Sequence, residues 1–310
     1  MTTSLMSKEQ QLELDAILRQ SGLGTTADVP SLRTAFDELV AQVPVPAYVR
    51  QRRVKVGGVA GIEVTIDGTE ADDVVLYFHS GVYVIGSAAA TVPLLGDLAR
   101  RSGTKAVTVE YRLAPEHPYP AAVDDARAAY EGLLAQGIAP ARIALAGESA
   151  GGGLVVALLL ALREGGIAMP SCGYLLSPDA DLTLTGQTLV DRRDADPILT
   201  PDGLRARVAD YVGAADAADP HISPIFADLN GLPPILIQVG SHEVLLSDAL
   251  RLAKRAALSD VAVTLDVTPG VPRVFQAFAG LLDEAGEALD RASAFLTAQL
   301  ASSPGHDRTA

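Results

Sequence analysis

The 310-residue chain has no tryptophan, one cysteine and few aromatic residues, 5% in all. The lone Cys172 excludes an internal disulfide and any cysteine metal cluster, so neither a metal nor a cofactor is expected. Basic residues are also scarce: 24 Lys and Arg stand against 38 Asp and Glu, giving a formal net charge of -14. With no basic stripe, nucleic acid is a poor partner, and a dispersed acidic surface reads as solubility. Long hydrophobic runs are missing too. The run Leu154 to Leu162 is too short to span a bilayer, and Lys8, Glu9 and Glu13 interrupt any signal-peptide core. The expectation is a soluble, cytoplasmic protein without a membrane partner.

What is present is an alternation of short apolar runs with helical patterns. Hydrophobic residues make up 48% of the chain, enough for a sizeable core. Eight runs read as strands: 52–56, 61–66, 74–78, 106–109, 143–146, 173–176, 235–239 and 261–267. Gly57 and Gly58 would turn the first pair. Helical spacing covers 7–18, 31–40, 92–101, 120–134, 154–162, 202–211, 245–257 and 284–300, with Thr200-Pro201 as a cap and first-turn pair. Gly22, Gly24 and Pro30 punctuate the first two helices. This pattern predicts an α/β fold with a mostly parallel eight-stranded sheet covered on both faces. Residues 1–45 form a helical N-terminal cap, 46–301 the main domain with a cap insertion within about 182–222, and 302–310 a polar, disordered tail. There is no internal repeat and no dividing linker.

The chain is organised around Gly147-Glu148-Ser149-Ala150-Gly151, between the strand ending at Ala146 and the helix beginning at Leu154. This is G-x-S-x-G in a strand-turn-helix setting, which sets a serine hydroxyl on a strained turn at the positive end of a helix. The Ala150 amide would face a substrate oxyanion. The plainer reading is a glycine-rich turn with a bystander serine.

Three more stretches lie where strands end: Phe78-His79-Ser80-Gly81-Val82-Tyr83, Tyr111-Arg112-Leu113-Ala114-Pro115-Glu116-His117-Pro118-Tyr119-Pro120, and Gly240-Ser241-His242-Glu243-Val244-Leu245. With the Gly-Glu-Ser-Ala-Gly turn, they resemble the hormone-sensitive-lipase-like branch of the α/β-hydrolases, over about Val74 to Leu296. The resemblance implies the α/β-hydrolase fold and acyl-enzyme hydrolysis of small carboxylic esters. It makes Ser149 the nucleophile, Glu243 the triad acid, and the amides of Gly81, Val82 and Ala150 the oxyanion hole. Ser80, Tyr83 and His242 would contact the ligand, and the Tyr-Arg-Leu-Ala-Pro run would brace the floor under the serine. Glu243 could instead be an ordinary loop acid. A homodimer is left open.

Four positions depart from the family pattern. The triad histidine is expected just before Val274-Phe275, and the chain has Arg273 there, which cannot take a proton from serine. Ser80 and Val82 replace glycines of the His-Gly-Gly-Gly loop, and Asp179 stands where relatives often carry tryptophan. His242, beside Glu243, is the one candidate substitute base. Departures clustered around one cavity indicate a site remade by selection or by engineering. The leading reading is a carboxylesterase scaffold with an altered active site. A second reading has Asp179, its pKa raised by burial, as a general base for proton abstraction or elimination, with Arg273 stabilising an anion; if not cavity-facing, Asp179 is a solvated loop acid. A third is a non-catalytic small-ligand binder, since plant gibberellin receptors are similar to this family and also lack its histidine.

Overall fold

Runs that are apolar on both faces can be satisfied only inside a sheet covered twice. In the computed structural model, which describes residues 3–23 and 27–301, they form the middle of an eight-stranded sheet. In chain order the elements are α1 (Thr3–Gln20), α2 (Val29–Val40), β1 (Val49–Val56), β2 (Val59–Ile66), β3 (Val74–Phe78), α3 (Val92–Ser102), β4 (Lys105–Val109), α4 (Ala121–Ala135), β5 (Ile143–Glu148), α5 (Ala150–Glu164), β6 (Cys172–Leu176), α6 (Thr188–Asp191), α7 (Pro201–Val212), β7 (Ile235–Gly240), α8 (Leu246–Leu258), β8 (Val263–Thr268) and α9 (Asp283–Ala301). The order across the sheet is β1-β2-β4-β3-β5-β6-β7-β8. Only β1 with β2 and β2 with β4 are antiparallel. The strands β3, β5, β6 and β7 are buried along their whole length, with α4, α5 and α8 on one face and α3 and α9 on the other.

Some boundaries differ from expectation. β1 begins at Val49 and β2 at Val59, so the hairpin turn is only Gly57-Gly58, at φ 56° and 87°. That two-residue, left-handed turn needs glycine. Helix α5 starts at Ala150, not Leu154, and its first turn holds Gly151-Gly152-Gly153. Short α6 was not expected. Gly24 and the 302–310 tail lie outside the described residues. Among the described residues no helix is long and apolar enough to cross a membrane, and no group of His, Cys, Asp and Glu could hold a metal ion.

The N-terminal helices cross the C-terminal ends of the strands. Asp28 caps α2 by accepting from the Ser31 amide at 3.0 Å. Arg33 of α2 then fastens the cap: Nε donates to the Val84 carbonyl at 3.0 Å and Nη2 to the Ala114 carbonyl at 3.1 Å, while the guanidinium meets Glu116 at 2.8 Å. The Tyr-Arg-Leu-Ala-Pro run reaches the turn at Ser149 through the His79 carbonyl, against which Gly151 packs. It holds the cap and the loop after β3, because the Tyr111 hydroxyl donates to the His79 carbonyl and the Ala114 amide to that of Tyr83, each at 2.9 Å.

Candidate active site

Ser149 sits between β5 and α5 at φ 54°, ψ -119°, a conformation that costs a non-glycine residue on the order of 1–3 kcal/mol. Neighbouring bonds impose it. The Ser149 amide donates to the Leu176 carbonyl at 2.8 Å, and the Asp179 amide donates to the Ser149 carbonyl at 3.0 Å. The two glycines of the pentapeptide are steric necessities. A Cβ on Gly147 would lie 2.3 Å from the Gly151 carbonyl oxygen, and one on Gly151 would lie 2.0 Å from that of Phe78.

The loop after β3 is wound just as tightly. Gly81, Val82 and Tyr83 have φ of 118°, 52° and 61°. Their turn closes because the Val84 and Ile85 amides both donate to the Gly81 carbonyl at 2.9 Å. A Cβ on Gly81 would sit 2.0 Å from the Ile85 carbonyl oxygen. The amides of Gly81, Val82 and Ala150 have no acceptor among the described residues, whereas the Ser80 amide donates to Glu148 Oε1 at 3.2 Å. Ser80 itself is not in the left-handed region, so its side chain adds no backbone strain; Val82, β-branched at positive φ, does.

Under the cap, two connected clefts of about 720 and 520 Å³ share Leu23, Phe36, Ser80, Ile198 and Arg273 in their walls. Gly81 and Val82 line the smaller one. Ser149 does not reach either: it is 1% exposed, and its Oγ is buried with no hydrogen-bond partner. The expectation that its hydroxyl would open onto a cleft alongside Gly81 and Val82 is thus corrected. Ser80, Gly81, Val82 and Arg273 form the wall, and Ser149 is sealed from the open space. Asp179, also expected to face the open pocket, is likewise fully buried, and neither of its oxygens has a hydrogen-bond partner.

Arg273 is 7% exposed, and its Nε and Nη2 are buried without acceptors. Four buried carboxylates feel its charge: Glu148 at the end of β5, Asp179 after β6, Asp196 before α7, and Glu243 after β7. None is hydrogen-bonded to it. Burial drives all four upward, Asp179 to about 7 and Glu243 to about 8, while Arg273 pulls the other way. Glu243 Oε1 accepts from the Gly240 amide at 3.1 Å, leaving Oε2 unpartnered.

Two expected ligand contacts move elsewhere. His242 is exposed and lines neither cleft, because the turn after β7 that buries Glu243 points the neighbouring residue to solvent. Tyr83 is 2% exposed and stacks on Tyr211 at 3.8 Å between ring centroids, a packing role. The other histidines among the described residues do not supply a base. The His79 ring lies parallel on Tyr111 with Nδ1–H donating to the Ser80 carbonyl at 2.7 Å, and burial lowers its pKa to about 4. His221 pairs with Glu164, and His117 is exposed. Asp196 was missed. Its carboxylate accepts from the Ile198 and Leu199 amides at 2.9 Å and the Val244 amide at 3.0 Å, tying the β6–β7 insertion to the Glu243 turn. Asp-Pro followed by apolar residues is the turn signal that could have revealed it.

The raised Asp179 has a consequence for stability. Its folded pKa of about 7 lies above the model-peptide value of 3.8, so the folded protein holds the proton more tightly. This contribution is complete below about pH 4 and is lost as pH climbs through the folded value. Asp179→Asn is expected to raise stability by about 1–3 kcal/mol at pH 8 and by much less at pH 4. Thermal melts followed by far-UV circular dichroism at the two pH values check this; an equal effect at both would contradict it.

Comparisons with known proteins agree with this architecture. The family described as alpha/beta hydrolase fold matches residues 75–277. An esterase from Acinetobacter venetianus is 38% identical over 268 residues, covering 86% of this chain and 88% of that protein. An acetyl-hydrolase from Streptomyces hygroscopicus is 41% identical over 221 residues, covering 71% and 74%. The crystal structure of an esterase from the bacterial hormone-sensitive lipase family superposes with a TM-score of 0.92 at 38% identity, covering 94% of this chain and 98% of that one. With this sheet order, a left-handed Ser149 between β5 and α5, and the cap across the strand ends, the chain belongs to the hormone-sensitive-lipase-like branch of the α/β-hydrolase family.

Proposed function

We propose that this protein is a hydrolase of small carboxylic esters by lineage and machinery, whose acyl-serine turnover has been reduced to a residual level by a remade pocket. Ser149 would be the nucleophile, the Gly81, Val82 and Ala150 amides the oxyanion hole, and Glu243 the triad acid. One observation carries this reading: Ser149 Oγ has no hydrogen-bond partner, and a guanidinium occupies the sequence position of the family's triad histidine. Arginine has no lone pair to receive the serine proton. The names of the esterase and acetyl-hydrolase relatives support the substrate class. The test is hydrolysis of p-nitrophenyl butyrate: slow turnover, abolished by Ser149→Ala, is expected. Family-typical rates in the unmodified chain would overturn the reading.

A second reading rests on Asp179. Both oxygens are unpartnered and the pKa is about 7, so near neutral pH a large fraction is a competent base. In proton abstraction from a carbon acid, Asp179→Asn would abolish activity and Ser149→Ala would spare it. Equal loss in both variants would return the chemistry to serine.

A further inference from the structure

Arg273 is the group that this architecture leaves without a protein partner. It is more than nine-tenths buried, lines both clefts, and keeps two guanidinium nitrogens free of acceptors. A buried charged donor left without an acceptor is costly, so an incoming acceptor is favoured. The larger cleft beside it is walled by apolar side chains, among them Leu18, Leu39, Val43, Leu94 and Phe278. A second guanidinium, that of Arg207, lines the smaller cleft, but its Nε is ion-paired with Asp210 at 3.3 Å.

We propose that the cap-covered cleft is a binding site for an amphiphilic monocarboxylate, with the carboxylate head on the Arg273 guanidinium and the apolar body along the cap helices. Guanidinium and carboxylate match as a planar pair of hydrogen bonds. The ring of Glu148, Asp179, Asp196 and Glu243 sets the charge it accepts. With burial holding these acids toward their neutral forms, the guanidinium can pair with a single carboxylate, while a dianion brings a second charge that nothing on the walls offsets. Arg207, the other charged group on the cleft walls besides Glu148 and Arg273, is paired with Asp210, which leaves Arg273 as the cation that an anion would meet. The apolar wall of the larger cleft suits a short alkyl body. The ligand class is the acid half of the esters proposed above, so the inference rests on reading this cleft as a remade ester site. Binding is an equilibrium, however, and needs no turnover.

The test is isothermal titration calorimetry of the full chain with octanoate, 1-octanol and octyl phosphate near pH 7.5. Octanoate is expected to bind about ten- to a hundredfold more tightly than the other two. Arg273→Met should erase the preference of octanoate over octanol; Arg273→Gln serves the same purpose if the methionine variant fails to fold. Octanol binding as tightly as octanoate, octyl phosphate binding more tightly, or unchanged octanoate affinity in a folded Arg273 variant would each overturn the proposal. Slow ester turnover with no octanoate preference would defeat this inference alone, and fast turnover with the preference intact would defeat the hydrolase reading alone.

Discussion

Arg273→His is expected to raise Ser149-dependent hydrolysis of p-nitrophenyl butyrate by roughly 10² to 10⁴. In another serine hydrolase, loss of the triad histidine cost about 10⁶ in kcat, which bounds what restoration can return. The structure supplies the other half of the pair. Glu243 Oε1 is taken by the Gly240 amide, while Oε2 is buried and unpartnered, which is where an imidazole N–H would be received. Removing the guanidinium also removes the charge that pulls Glu243 down, and an imidazolium formed during turnover would replace it. The recovery is partial because Ser149 Oγ stays buried away from the clefts. Val82→Gly should add to the gain, since it relieves a β-branched residue at φ 52° beside the free amides. Ser80→Gly should add less, because Ser80 carries no left-handed strain and its amide is already held by Glu148. The assay compares the given chain, Arg273→His and the triple variant, each with Ser149→Ala. No gain on restoring histidine would mean that the sealed serine, not the missing base, limits the chemistry.

The sheet was legible because β3, β5, β6 and β7 are buried on both faces, which forces continuous apolar runs that no exposed segment imitates. The turn at Ser149 was legible for a related reason: its glycines are fixed by backbone atoms less than 2.5 Å from any added Cβ. The start of α5 was not, since three consecutive glycines argue against helix by propensity and only packing against Phe78, Pro178 and Asp179 keeps them helical. The side chains around Arg273 come from the ends of different strands and the turn before α7, so no spacing in the sequence relates them. His242 and Glu243 show the reverse: adjacent in sequence, they are divided by a turn that buries one and exposes the other. Tyr83 looked like a ligand contact because it follows the Gly81 loop; its stacking partner Tyr211 lies on α7, a helix the sequence marked but whose position over the Gly81 loop no local pattern specified.

Gly151→Ala is expected to destabilise the protein by about 3–5 kcal/mol, at the upper end for a single substitution. The new methyl carbon would lie 2.0 Å from the Phe78 carbonyl oxygen and 2.7 Å from that of His79. Both obstacles are backbone. Phe78 ends a strand paired on both sides, to β4 and β5, and its partner on β5 is Gly147. Gly147 cannot yield either, because Gly151 itself presses on it from the first turn of α5. Relief therefore requires moving either the central strand or the helix that carries the Ala150 amide. Gly166→Ala, at φ 63° with open space around its Cβ, supplies the comparison. It bears only the left-handed strain, about 1 kcal/mol. Urea denaturation followed by far-UV circular dichroism measures both. Similar losses would show that backbone conformation, not the approach of β3 to α5, sets the demand for glycine at 151. A large excess at 151 would place the requirement in the contact that sets the end of β3 against the first turn of α5.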